Sequence, residues 1–336
     1  MSMQEALFSK IKDTISNKKE LPKVLQDVLG CSADSAYRRL RGETALSIDE
    51  AYKLSDHFKV ALSDLESFRG DHVTFVKRPF INSEERFEMF LEASLGHLEL
   101  LLKDPNHVML YTAKDIPPFY QYRFKALASF KIFVWFRSFY DVKQSNEQEY
   151  TLSSIPQRLL DIAYKQWEAY SKLNAIEIWN DTTVLSLINQ IEFYYEAGLL
   201  ADKDEALLIC DEFMEMIKVV YKQAIHGRRM LDHDKDVSSN VPYKLYYNEV
   251  LIMDNNILSK VQGRLIYNMP YAAVNYISTT NEELCGHMEE YILRQAHKSA
   301  LISDVSEKER NKFFIRMRNK VEALRDRIEQ SNPFLF

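Results

Sequence analysis

At 336 residues, with 46% apolar and 27% charged residues, the chain is long enough for more than one core and too apolar for the disordered or fibrous classes. Eight glycines and nine prolines against nineteen tyrosines and nineteen phenylalanines favour long helices with aromatic cores over a turn-rich β sandwich. A net charge of −6, and eleven Lys/Arg balanced by eleven Asp/Glu in residues 1–70, exclude a nonspecific polyanion binder.

Along the first seventy residues, Leu7, Ile11 and Ile15 are spaced four apart and predict one face of an amphipathic helix over 3–16. A second short helix fits Leu21 to Leu29, with Pro22 acceptable in its first turn and Gly30 as its stop. Ser32 caps a third, running through Arg41 and closed by Gly42, with Ala33, Ala36 and Leu40 on the inner face and Asp34, Arg38 and Arg41 on the outer. Ser47-Ile48-Asp49-Glu50 is a capping box for a fourth helix with the stripe Ala51, Leu54 and Phe58. Ser63-Asp64-Leu65-Glu66 repeats the device for a fifth. Residues 70–82, with Gly70 and Pro79, read as a linker.

From 83 to 240 the pattern predicts helices near 84–103, 120–142, 152–172, 183–197 and 203–225, with no clean repeat period. The densest apolar run, Phe130 to Tyr140, is broken by Lys131 and Arg137 and is too short to cross a membrane, so a buried helix is expected. Beyond Asn248 three short runs, Glu249–Asp254, Ile257–Val261 and Arg264–Asn268, are separated by Asn255-Asn256 and Gln262-Gly263 and predict a small antiparallel meander. Thr280-x-x-Glu283 and Ser306-x-x-Glu309 then open two further helices, the last from Lys308 to Glu329. The fold expected is mainly α: a five-helix N-terminal domain over 1–69, a helical domain over 83–240, and an α/β segment over 241–336 packed on it.

The residues that carry chemistry are few. Asp232-His233-Asp234-Lys235-Asp236 alternates carboxylates but lacks the glycine and distal glutamate of a calcium loop, so it reads as a solvated loop. Cys285-x-His287 has no second ligand pair and reads as packing. His226-Gly227-Arg228-Arg229 reads as cations favoured by a helix C-terminus. The aromatics at 119–120, 130–140, 193–195 and 243–247 suit a core, or the wall of a ligand pocket. Cys31, Cys210 and Cys285 lie far apart and read as reduced core residues. With a polar start, MSMQEALFSK, in place of a signal peptide, a cytoplasmic chain without membrane association is expected. No phosphate-binding glycine loop, metal set or nucleophile elbow is evident, so neither an enzyme, a metal site nor a cofactor is expected.

The strongest signal is Leu29-Gly30-Cys31-Ser32 followed by Arg41-Gly42 and the Ser47-capped stripe. With these, residues 4–66 resemble the lambda-repressor-like helix-turn-helix family, also called the XRE family. That resemblance implies a third helix that enters the major groove of double-stranded DNA. It implies Ala33, Asp34, Ser35 and Arg38 as base readers, Arg38 forking onto guanine O6/N7 and Asp34 accepting from cytosine N4. Tyr37 and Arg39 flank them, and Ser32, Arg41 and Thr44 hold phosphates. Three positions depart from the family pattern: Pro22 for a glutamine, Gln26 for a small alanine and Arg39 for an apolar residue. The function expected is a sequence-specific transcription regulator, homodimeric because one short helix discriminates too little. Its C-terminal region would sense a peptide or small-molecule effector or mediate dimerisation. The alternative is an intracellular helical scaffold for proteins or peptides.

Overall fold

The computed structural model describes all residues except 1, 16–17, 59, 61, 63–72, 139–148, 201, 233–236, 251–253 and 332–336. It divides into two compact units, Met1–Thr74 and Phe75–Phe336. In the first, α1 (Met3–Thr14), a 3-10 turn (Lys18–Glu20), α2 (Leu21–Leu29), α3 (Ala33–Leu40) and α4 (Ile48–Phe58) surround Leu7, Phe8, Ile11, Leu21, Leu25, Ala36 and Leu54. Pro22 stands in the first turn of α2, and Gly30 ends that helix at φ 64°, a left-handed value that a side chain rarely adopts. The helix expected to begin at Ser63 lies outside the described residues.

The second unit opens with β1 (Val76–Lys77), α5 (Glu84–Leu102), β2 (Val108–Ala113), α6 (Pro118–Gln121), α7 (Lys125–Ser138) and α8 (Gln157–Tyr170). There follow β3 (Ala175–Trp179), α9 (Leu185–Glu196), α10 (Lys203–His226), β4 (Arg228–Asp232) and β5 (Val237–Tyr247). The chain then forms β6 (Ile257–Val261), β7 (Arg264–Ala272), β8 (Asn275–Thr279), α11 (Glu282–His297), β9 (Ala300–Leu301) and α12 (Glu307–Gln330). The described strands make one nine-stranded mixed sheet in the order β1-β8-β7-β6-β2-β3-β5-β4, with β9 added on β5. The parallel strands β2, β3 and β5 form its centre, while β6, β7, β8 and β1 extend it antiparallel.

This sheet overturns the expectation of a mainly helical chain with a small meander. Its central strands are covered on both faces, so each reads as an apolar run rather than an alternating one. Met109, Tyr111, Ala113, Ala175, Trp179, Tyr243 and Leu245 face the large core made with the helical layer. Leu110, Ile176, Ile178 and Tyr246 face the opposite way, toward Cys285, Ile292 and Ala296 of α11. A run such as VMLYTA is too short for its period to separate strand from buried helix.

The division at 240/241 falls inside β5, and strands from both sides of it share the sheet, so 83–240 and 241–336 belong to one unit. The expected linker also contributes to that unit: Val76 and Lys77 pair with Ser278 and Ile277, and Ile81 is buried. Of the predicted meander, Ile257–Val261 and Arg264–Asn268 are strands joined at Gln262-Gly263, both with positive φ as a two-residue hairpin requires. Glu249, Val250 and Asp254 are not strand, and Val250 is exposed; 251–253 lie outside the described residues. The next hairpin strand is β8 instead. Among the described residues no helix is long and apolar enough to cross a membrane; Phe130–Phe136 lies buried in α7.

Candidate nucleic-acid interface

α3 starts where Ser32 leaves the α2–α3 turn in extended conformation and its Oγ accepts the Ser35 amide at 3.3 Å. Ala36 is fully buried against the unit's core, which fixes the rotation of the helix. That rotation leaves Ser32, Ala33, Asp34, Tyr37 and Arg38 exposed and Ser35 half-buried. Ala33, expected on the inner face, lies on the outer one, because two full turns of this short helix bring only Ala36 and Leu40 under it. A Gln4 clamp holds the far end. Its Nε2 donates to the carbonyls of Arg39 (2.8 Å) and Thr44 (2.9 Å), and its Oε1 accepts from the Leu46 amide (2.9 Å).

The three arginines of α3 and its C-cap have different fates. The Arg39 guanidinium forks onto Glu50 of the capping box, at 2.8 and 3.3 Å, and also donates to Ser35 Oγ. Burial opposes the Glu50 charge, but hydrogen bonds from Arg39 and the Ser47 amide hold its pKa below the ordinary carboxylate value. Arg39 and Ser35 are thus drawn to each other and to α4 rather than out to solvent. Arg41 forks onto Glu43 at 2.6 and 3.0 Å, which raises the Arg41 pKa and lowers that of Glu43. Arg38 reaches Glu43 only at 3.9 Å and is about half exposed. Its fork is the one left open. Thr44 is half-buried behind the Gln4 clamp, in contrast to the exposed Arg41.

Glu43 and Glu50 are the residues that sequence reasoning missed. Glu50 was visible as a capping-box acid, but nothing in its spacing showed that it also receives Arg39 eleven residues earlier. The apolar position expected at Arg39 is filled by this ion pair.

A second concentration of ionisable groups lies in the large unit. Glu177 of β3 and Arg229 of β4 are both fully buried and 3.6 Å apart. Glu177 Oε1 accepts from the hydroxyls of Tyr120 (2.8 Å) and Tyr170 (2.6 Å), and Oε2 from Trp179 Nε1 (2.9 Å) and the Tyr243 hydroxyl (3.1 Å). Arg229 donates to the Leu173 carbonyl, the Tyr120 hydroxyl and Gln223, and lies over the rings of Tyr170 and Tyr243. Burial, then the Glu177 carboxylate, push the Tyr120, Tyr170 and Tyr243 pKa values up, so these hydroxyls stay protonated donors. The carboxylate has all its acceptor sites filled by side chains. Sealed from solvent, the cluster ties β3, β4, β5, α6 and α8 together.

The helix-dipole reading of Arg229 is therefore replaced by a buried ion pair; only Arg228 is exposed. Cys285 is buried on α11 while His287, two residues on, is exposed, so the two do not converge. The carboxylate run from Asp232 lies outside the described residues from His233 to Asp236. Among the described residues no three His, Cys, Asp or Glu side chains converge to hold a metal. The three cysteines are free; burial pushes the Cys210 thiol up to about 12 and raises that of Cys285.

Comparison of the chain with models of known families, with characterised proteins and with solved structures finds no match.

Proposed function

We propose that the chain is a sequence-specific DNA-binding transcription regulator that acts in the cytoplasm as a homodimer, α3 of each protomer reading one half-site. The observation that carries this reading is the open face of α3, where Asp34, Tyr37 and Arg38 are exposed while Ala36 anchors the helix from below. A short capped helix after a left-handed turn, with a half-exposed guanidinium on its outer face held only by a 3.9 Å ion pair to Glu43, suits a major groove. Arg38 supplies a fork for guanine, Asp34 an acceptor for cytosine N4, and Ala33 and Tyr37 apolar contact. Ser32, at the helix start, and Arg41 serve the phosphates, Arg41 after exchanging Glu43 for one. Arg39 and Ser35 support this face through Glu50.

The test is selection of DNA from a random pool by the purified full chain, followed by affinity measurements on the enriched site. A two-fold-symmetric motif is expected, with half-sites about one helical turn apart. Arg38→Ala should weaken binding roughly tenfold or more. Glu43→Gln, which frees Arg41, should raise affinity several-fold and steepen the salt dependence. Random enrichment, or affinity indifferent to Arg38, rejects direct readout by α3.

One observation favours a protein-binding module instead. Ile48 and Tyr52, one turn apart on α4, are 86% and 64% exposed on a unit in which Arg38, Arg39 and Arg41 are paired with Glu43 and Glu50. Saturable binding of a protein partner that Ile48→Ser/Tyr52→Ser abolishes, with no selective DNA binding, identifies that function.

A further inference from the structure

The large unit encloses a cavity of about 480 Å³ between α5, the β2–α6 connection, α7 and the β7–β8 hairpin. That is the size of a small-ligand pocket. Its walls are aromatic, with Phe90, Phe119, Tyr122 and Trp135 among them, and its mouth lies where Arg86, Met89 and Ala93 of α5 are exposed. The charges on it are unequal. Arg78, Arg86 and Lys131 carry positive charge and Asp115 alone is acidic. Arg78 has no ion-pair partner among the described residues.

Lys131 is the anomaly. It sits at 7% exposure in α7, whose residues 126–136 are all buried, its ammonium 5.5 Å from the centre of the Trp135 ring and 2.9 Å from Gln190 Oε1. An ammonium has three donors, and this one has a single hydrogen-bond acceptor among the described residues. Burying it without a carboxylate in contact is costly, and a core position there would be filled better by leucine or methionine.

We propose that this cavity binds an organic monoanion with an apolar, aromatic-sized body, the body lying among Phe90, Phe119 and Trp135 and the anionic group on the Lys131 ammonium. The cavity alone carries this, so it stands whether or not α3 reads DNA. Shape and apolar walls supply the affinity, while the ammonium, in a low-dielectric wall, selects for the anion.

Two fluorescent probes with the same aromatic body test it: 8-anilinonaphthalene-1-sulfonate, an anion, and N-phenyl-1-naphthylamine, which lacks the sulfonate. Both are titrated into the full chain, with its folded state checked by near-UV circular dichroism. Saturable binding of the anion is expected, weakened roughly tenfold or more by Lys131→Met, with less than about a threefold change for the neutral probe. Ala93→Trp, at the exposed mouth, should block both without touching the core. Anion binding indifferent to Lys131→Met, equal loss of both probes in that variant, or no effect of Ala93→Trp overturns the proposal, as does absence of anion binding.

A pH series gives an independent reading. Burial pushes the Lys131 pKa down to about 8, opposed by Asp115. As pH rises from 7 to 9.5 the ammonium is lost and the affinity for the sulfonate should fall. Burial lowers the His97 pKa and raises those of Tyr111 and Tyr276, Tyr276 to about 12, so these groups stay neutral through that interval. Burial lowers the Arg78 pKa, but a guanidinium starts far enough above this interval to keep its charge. Lys131→Arg should flatten the profile; a slope unchanged in that variant assigns the pH effect elsewhere and removes Lys131 as the anion's partner.

Discussion

Arg228 and Arg229 are adjacent on β4, and strand alternation sends the first to solvent and the second into the core. There Arg229 meets Glu177, whose lone pairs are filled by three hydroxyls and an indole. Breaking such a pair leaves one buried charge without its counterpart, at a cost of about 3–5 kcal/mol. Arg229→Met should therefore lose stability of that order in urea unfolding, and a loss below about 1 kcal/mol would show that the pair contributes little. The partner was not legible in advance because Glu177 lies far upstream on another strand. The same holds for Lys131, visible only as an interruption of an apolar run until the fold put a cavity beside it.

Among elements, the helices whose apolar stripes recur over several turns were readable from sequence nearly end to end. The expected 203–225 is α10, and 183–197 contains α9. Caps set by an adjacent serine also formed, at Ser32 and Ser47, where each Oγ accepts an amide three residues on. Thr280 and Ser306 did not act that way. Asn281 caps α11 with its own side chain, and Ser306 is left-handed with no side-chain cap hydrogen bond. Gly227 ends α10 at φ 59°, and a Cβ at this position would stand 2.9 Å from Asp304 Cβ. Gly227→Ala should thus destabilise by about 1–3 kcal/mol, from strain and from the contact together. Gly96, in the interior of α5 with open space around it, provides the comparison: Gly96→Ala should be neutral or stabilising by up to about 1 kcal/mol. Equal effects of the two substitutions in thermal unfolding would discount the close approach.

At the scale of the whole molecule, the two units have separate cores. The small one centres on Leu7, Leu25 and Leu54, the large one on the two faces of the sheet, with no shared member. A fragment comprising residues 75–336 should therefore fold alone, with one cooperative urea transition and the same near-UV circular dichroism per tryptophan as the full chain. All three tryptophans lie in that fragment. Broad, non-cooperative unfolding of the fragment would show that the small unit is needed for its core. By itself the sequence determined the small helical unit and the long helices, because turns, caps and helical periods are local: Gly30, Ser32 and Ser47 act within a few residues of themselves. Only the tertiary structure decided the nine-stranded sheet, the Glu177–Arg229 pair, the Glu50 partner of Arg39 and the cavity at Lys131. Strand pairing, charge compensation and enclosed volume depend on residues far apart in the chain, and a central strand covered on both faces loses the alternation that would have revealed it.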